Sequence, residues 1–373
     1  MNFERLTSYL DHLVDDINTP SVDCIIYKEH KMIYRHFYGK KDIETNTNIT
    51  GDELYFIFSL TKMVTCTAAL QLYEKGKYNM EDPISKYLPE FGKMRIVGGG
   101  YAKNSIRVKH LFTMCAGLDY DLNADGIRKA LAQGKTSTRD LVSAMSKTVL
   151  GFEPGSKFLY SLCHDVLGAL IEVWSGKKLS EYIKENIFEP LGMKNTFFGL
   201  PKDSVLLAKM ASLYEFGNDG KPKKAPLECP HILSNDYESG GAGLCSCPED
   251  YSLFCDALAC NGVGKTGNRI LSSASIELMS TNRLNEQQKA DFQSDSRPGY
   301  GYGLGVRVHT DKAESSSLSP IGEFGWDGAA GSFSMVDTQN KISLVYFQHI
   351  YIRDILLETG LRNALYSDLE YDK

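Results

Sequence analysis

The chain has 373 residues, 42% of them hydrophobic and 24% charged, the balance of an ordinary globular protein with a large buried core. Lys and Arg number 41 against 47 Asp and Glu, a net charge of −6 with no basic block, which removes the electrostatic footprint of a nucleic-acid binder. No apolar run approaches the roughly 18 residues needed to span a bilayer, and the opening MNFERLTSYLDHLVDD mixes charge with apolar residues as no signal peptide does, so a cytoplasmic protein with no membrane partner is expected.

Phe3, Leu6, Leu10, Leu13, Val14 and Ile17 recur at spacings of three and four, the pattern of an amphipathic helix. VDCIIY (22–27) and MIYRHFYG (32–39) are β-rich runs separated by Lys28-Glu29-His30-Lys31, which predicts a hairpin. From about 60 to 290 the pattern is mostly helical, as in TAALQLYEKGKY, RDLVSAMSKTVL, HDVLGALIEVWSGKKLSEYIKENIF and PEDYSLFCDALACNG. YGLGVRVH (302–309), GSFSMVD (331–337) and KISLVYFQ (341–348) read as three further strands, followed by a helix with Ile355, Leu356, Leu357, Leu361 and Leu365 on one face. Strands at both ends with helices between them predict an α/β (α+β) fold. One antiparallel sheet is assembled from residues 1–65 and 295–373 and flanked by helices, and residues 66–294 form a mostly helical domain, with boundaries good to about 15 residues. The loops at 96–105 and 284–300 are candidate lids.

Nine cysteines, at 24, 66, 115, 163, 229, 245, 247, 255 and 260, are odd in number and scattered through apolar patterns, which fits reduced thiols rather than a disulfide framework. A zinc site needs paired Cys or His motifs, and Cys245-x-Cys247 alone is not one; neither a metal nor an organic cofactor is expected.

The sharpest local signal is Phe58-Ser59-Leu60-Thr61-Lys62, after the apolar run LYFIF and at the head of a helical pattern. A serine hydroxyl is a poor nucleophile until a neighbouring base takes its proton. Three residues along a helix bring Lys62 to the same face as Ser59. An apolar setting favours neutral lysine, which can accept a proton. A helix N-terminus adds free backbone N–H groups where negative charge would develop.

The surrounding phrases carry more. DELYFIFSLTKMVTCTAALQLYEKGKYNMEDPISKYLPEF, IRVKHLFTMCAGLDYD, PGSKFLYSLCHDVLGALIEVWSG, ESGGAGLCSCPEDYSLFCDAL, YGYGLGVRV and FGWDGAAGSFSMVD resemble, in order and over about residues 20–350, the serine β-lactamase and penicillin-binding-protein superfamily. The resemblance is to its branch of class C β-lactamases, D,D-peptidases and related carboxylesterases. It implies a β-lactamase/transpeptidase-like fold, Ser59 as the acylated serine, Lys62 as its lysine and Tyr160 as the motif-two tyrosine. It also implies an oxyanion hole made of the Ser59 and Ala329 amides, and a substrate wall formed by Ser161, Leu162, Trp326, Asp327 and Gly328. Whether Lys62 or Tyr160 is the base stays open.

Several departures from the family bear on substrate. Penicillin-recognising members carry Asn where this chain has Leu162, and Lys where it has Trp326 followed by Asp327, an added negative charge near an anionic ligand. These changes resemble the carboxylesterase branch. Met114-Cys115-Ala116-Gly117 stands where members often have His-Thr-Ser-Gly, a difference read as structural.

Other patterns carry less. Lys265-Thr266-Gly267 spells the family's third motif but sits in a polar loop. Neither Gly-Lys-Thr has the upstream glycine of a phosphate loop, since Ala259 and Lys129 stand there. Asp121–Gly126 opens like a calcium loop but has Ala132 where its bidentate Glu belongs. His164, four residues from Tyr160, is expected to pack or face solvent, and Cys163 beside it points elsewhere.

The reading is a serine hydrolase working through an acyl-enzyme on a small-molecule ester or amide. The alternatives are a β-lactamase or D-alanyl-D-alanine carboxypeptidase-type activity on a β-lactam or peptide, and a non-catalytic ligand-binding homologue. The sequence leaves the oligomeric state open.

Overall fold

The computed structural model describes residues 2–293, 297–351 and 356–371. An antiparallel sheet of eight strands forms its spine. In chain order these are β1 (Ser21–Lys28), β2 (Lys31–Asp42), β3 (Thr47–Asn48), β4 (Tyr300–Tyr302), β5 (Arg307–His309), β6 (Phe324–Gly325), β7 (Phe333–Asp337) and β8 (Ile342–Phe347). Across the sheet they run β4-β5-β6-β7-β8-β1-β2-β3, so the two ends of the chain meet where β8 pairs with β1, Ile25 opposite Val345.

β1 and β8 are buried along nearly their whole length because both faces of the sheet are covered. With side chains alternating between faces, Val22, Cys24, Ile26, Leu344 and Tyr346 pack under two helices, α1 (Glu4–Asp15) and α6 (Leu356–Tyr371). Val345 and Phe347 point the other way, into the main core, where α4 (Pro248–Ala259) lies against β1 and β8. α2 (Thr61–Glu74) is buried on every side from Thr61 to Leu72 and is the central post of the helical half. It packs on α3 (Cys163–Ser175).

The expected fold class is therefore present, with local corrections. YGLGVRVH is not one strand: Gly303 donates to the Val306 carbonyl at 2.8 Å and Gly305 takes φ +82°, so the chain reverses and β4 pairs with β5. HDVLGALIEVWSGKKLSEYIKENIF is more than one helix, because Gly176 caps α3 in the left-handed conformation. The segment 284–300 contains a helix, α5 (Glu286–Gln293); its residues 294–296 lie outside the described residues. Ile17 falls beyond α1 and is exposed. In the last helix Leu361 and Leu365 are buried as expected, and Ile355 lies outside the described residues. No helix among the described residues is long and apolar enough to cross a membrane.

Candidate active site

The short strand Tyr55–Phe56 runs into a tight turn, Phe58–Leu60, that opens α2. Phe58 sits at φ +44°, a region an aromatic side chain rarely occupies. Burial of its ring against Phe56 and Tyr351 pins it there. The kink lifts Ser59, half-buried, into a cleft of about 240 Å³ that is also lined by Phe158, Tyr160, Phe292, Arg297, Trp326, Asp327 and Ala329.

One turn along α2, Lys62 is fully buried beneath Ser59. Its ammonium donates to Ser59 Oγ at 3.1 Å, to the Gly241 carbonyl at 2.7 Å and to Tyr120 Oη at 3.4 Å. Three hydrogens and three acceptors leave no free position. Burial alone would push the amine toward neutrality, but the surrounding Tyr120 and Tyr160 phenols and Asp165 carboxylate outweigh it, and its pKa stands above the ordinary lysine value. The neutral amine expected from an apolar setting is thus replaced by a cation, because the setting is lined with oxygen.

Tyr160 lies in the segment leading into α3 and forms the middle of an aromatic stack. Tyr120 covers one neighbour position at 5.5 Å and Trp326 stacks at 5.6 Å. The Trp326 indole N–H donates to Tyr160 Oη at 3.2 Å, and Lys62 Nζ lies 4.6 Å from the centre of the Tyr160 ring. Trp326 leaves the end of β6 and is itself buried. Gly328 follows in a tight turn, donating to the Ser332 carbonyl at 2.7 Å, and any side chain there would strike the Ile57 carbonyl. That close approach sets Ala329 at the cleft beside Ser59.

Asp327 is not the lone negative charge expected. Arg297 grips it with both terminal nitrogens, at 2.8 and 3.0 Å, and lies 4.8 Å over the Trp326 ring. The guanidinium holds the Asp327 carboxyl below its usual range against the opposing effect of burial. Ser161 and Leu162, placed on the substrate wall, do not line the cleft. The Ser161 hydroxyl donates to Cys163 Sγ at 3.1 Å, and Leu162 packs in the helical core. His164 is fully buried between Cys66 Sγ and the Phe112 carbonyl, its pKa lowered to about 3, chiefly by burial and then by Lys62. Tyr120 and Arg297 are the site residues that sequence reasoning missed. Tyr120 lay within a quoted block, GLDYD, with no role attached, and Arg297 within a segment taken for a lid.

A serine set on a kink at the head of a helix, above a buried lysine and on an antiparallel sheet joining the two ends of the chain, is the arrangement of serine hydrolases built on the β-lactamase fold. Residues 6–351 match the beta-lactamase family, and the chain belongs to it. It is 29% identical over 345 residues to Protein Rv1367c of Mycobacterium tuberculosis, covering 87% of this chain and 84% of that one. It is 24% identical over 393 residues to Esterase EstB of Burkholderia gladioli, covering 97% and 95%. Among solved structures, EstCE1, described as a hydrolase with promiscuous acyltransferase activity, superposes with a TM-score of 0.83 at 24% identity, covering 97% of this chain and 98% of that one.

Proposed function

We propose that the protein hydrolyses small esters or amides through an acyl-enzyme on Ser59. Ser59 Oγ attacks the substrate carbonyl as its proton passes to the phenolate oxygen of Tyr160. The oxyanion accepts hydrogen bonds from the Ser59 and Ala329 backbone N–H groups. When the tetrahedral adduct collapses, Tyr160 returns that proton to the departing alcohol or amine. Water then attacks the acyl group by the same route in reverse, and Ser59 is regenerated. Lys62 remains an ammonium throughout, orienting the Ser59 hydroxyl and holding negative charge on the Tyr160 oxygen.

One observation carries this reading: Ser59, Tyr160, Trp326 and Ala329 share a single cleft, with the indole N–H aimed at the phenol oxygen. The saturated Lys62 ammonium supports Tyr160 as the base, since an amine with no lone pair cannot accept a proton. Substrate class follows from shape and charge. At about 240 Å³ the cleft falls below the roughly 300–1,000 Å³ of drug-sized sites. Its walls include Phe158, Phe292 and Trp326, and Arg297, the cation among its described lining residues, is closed off by Asp327, so a small uncharged acyl group is favoured over a carboxylate-bearing β-lactam or D-alanyl peptide. The names of EstB and EstCE1 agree with esterase chemistry. Nine unpaired thiols, eight of them buried, support a reducing, cytoplasmic setting.

The test is labelling with a fluorophosphonate, read by intact mass. Wild type gains one adduct and Ser59→Ala gains none; an unlabelled wild type would overturn the reading, and an adduct on Ser59→Ala would move the nucleophile elsewhere. A chromogenic short-chain ester is expected to turn over far faster than a chromogenic cephalosporin. The reverse ranking would assign the cleft to β-lactams.

A further inference from the structure

The hairpin between β1 and β2 ends in a two-residue turn, Glu29-His30, with both residues at positive φ. This turn carries His30 to α4. There His30 Nδ1 lies 2.8 Å from one carboxylate oxygen of Asp256, and the His30 backbone N–H donates to the other at 3.1 Å. Cys260, four residues after Asp256 and the residue that caps the C-terminal end of α4, places its sulfur 3.8 Å from Asp256 Oδ1. The ligand atoms of the three residues all lie within 4.8 Å of one another, and among the described residues no other three His, Cys, Asp or Glu side chains converge in this way. None of the three lines the Ser59 cleft.

We propose that His30, Asp256 and Cys260 form a structural binding site for a zinc-class divalent ion, with water as its fourth ligand. One nitrogen, one oxygen and one sulfur donor form the mixed set that Zn²⁺ and Co²⁺ accept, at bond lengths of about 2.0–2.3 Å. Such bonds hold neighbouring ligand atoms roughly 3.3–3.8 Å apart, so the ion fits with His30 and Asp256 parting by about half an ångström. The electrostatics also call for it. Asp256 is fully buried, and among the described residues its ion-pair partner is His30, which is charged only when protonated. A buried carboxylate without a permanent cation is expensive, and a divalent ion supplies that charge. Binding exchanges the Cys260 thiol proton for a sulfur–metal bond, the proton passing to solvent. His30 and Cys260 remain partly exposed, which gives the ion a way in and room for a water. The ion would pin the hairpin to the helix that backs the sheet.

Cobalt tests this on the full chain. One equivalent of Co²⁺ added to metal-free protein is expected to produce a thiolate-to-cobalt charge-transfer band together with intense tetrahedral d–d bands, and zinc should displace both. Cys260→Ser should abolish the charge-transfer band, and His30→Gln should weaken binding at least roughly tenfold. Zinc should raise the melting temperature of wild type and leave that of Cys260→Ser unchanged. Both variants keep the catalytic cleft intact, so ester turnover reports that they are folded. A wild type with no charge-transfer band at stoichiometric cobalt would overturn the proposal, as would a band that survives in folded Cys260→Ser. Neither result bears on the Ser59 reading, which the fluorophosphonate tests.

Discussion

Lys62 and Arg307 are both fully buried cations, and they are housed in opposite ways. Arg307 belongs to a network of alternating sign. It lies 3.5 Å from Asp327, 3.8 Å from Glu323 and 3.8 Å from Glu358, while Arg362 meets Glu323 at 3.1 Å and Arg297 meets Asp327 at 2.8 Å. Three guanidiniums face three carboxylates. Lys62 has no carboxylate within ion-pair distance among the described residues, and its hydrogens go to a hydroxyl, a phenol and a carbonyl. Asp165, the acid that influences it, is occupied by Tyr237 and Ser239 at 2.7 and 2.6 Å. Charge balanced by counter-charge holds structure together, whereas charge held by neutral dipoles beside a hydroxyl remains available to act on it.

The largest expected effect breaks the catalytic side of this contrast. Lys62→Met should lower kcat/KM for a chromogenic ester by roughly 10³ or more. Its stability should stay within about 1 kcal/mol of wild type, because removing a desolvated charge offsets the lost donors. A large loss of stability in denaturant melts would show that Lys62 is structural after all. Arg307→Met should do the opposite, costing about 3–5 kcal/mol by leaving three buried carboxylates to share two guanidiniums. Chemical denaturation measures it, and a neutral outcome would mean that Arg362 and Arg297 suffice.

Asp23 sharpens the comparison from the acid side. It is buried, Arg35 approaches one oxygen at 3.3 Å, and the other oxygen has no partner. Burial, only partly opposed by Arg35, raises its pKa to about 7. A carboxyl raised in the folded state binds its proton more tightly there than when unfolded. Its stabilising effect is therefore complete below about pH 4 and is lost as pH rises toward 7. Asp23→Asn should gain on wild type by on the order of 2 kcal/mol between pH 5 and pH 8, with the difference flat above that. Denaturant melts of both proteins at each pH give the answer, and a pH-independent difference would show that Arg35 fully compensates the charge. The smallest effect tests the phenol. Trp326→Phe keeps the aromatic wall but removes the N–H that meets Tyr160 Oη, and should reduce kcat about tenfold with KM little changed. A rise in KM alone would make Trp326 a contact for substrate only.

What the sequence revealed and what it hid divide along the same physical line. Ser59 and Lys62 are joined by helical spacing, so their pairing is written locally. The β1–β2 hairpin, α1 and α4 are likewise legible from periodicity. Tyr160, Trp326 and Ala329 could be named only through likeness to a family, since nothing near each of them signals the others. The raised pKa of Lys62 is not legible in the sequence because Tyr120, Tyr160 and Asp165 reach it from distant segments. The Asp327 repulsion argument failed because its counter-ion, Arg297, lies 30 residues upstream. The turn within 302–309 was missed because its apolar pattern continues across glycines that reverse the chain. The proposed ion site shows the same limit, since His30 and Asp256 lie 226 residues apart.

Because β1 and β8 are neighbours, Ser21–Lys28 must wait for a partner strand made several hundred residues later. On the ribosome, Ser21–Lys28 can form its hairpin with Lys31–Asp42 at once, but the flank that later meets Ile342–Phe347 stays open until that distant segment has emerged. Until then the strand offers unpaired amides and carbonyls along an apolar edge, a template for aggregation. Closing so long a loop is slow, which makes the wait for Ile342–Phe347 the vulnerable moment in biogenesis.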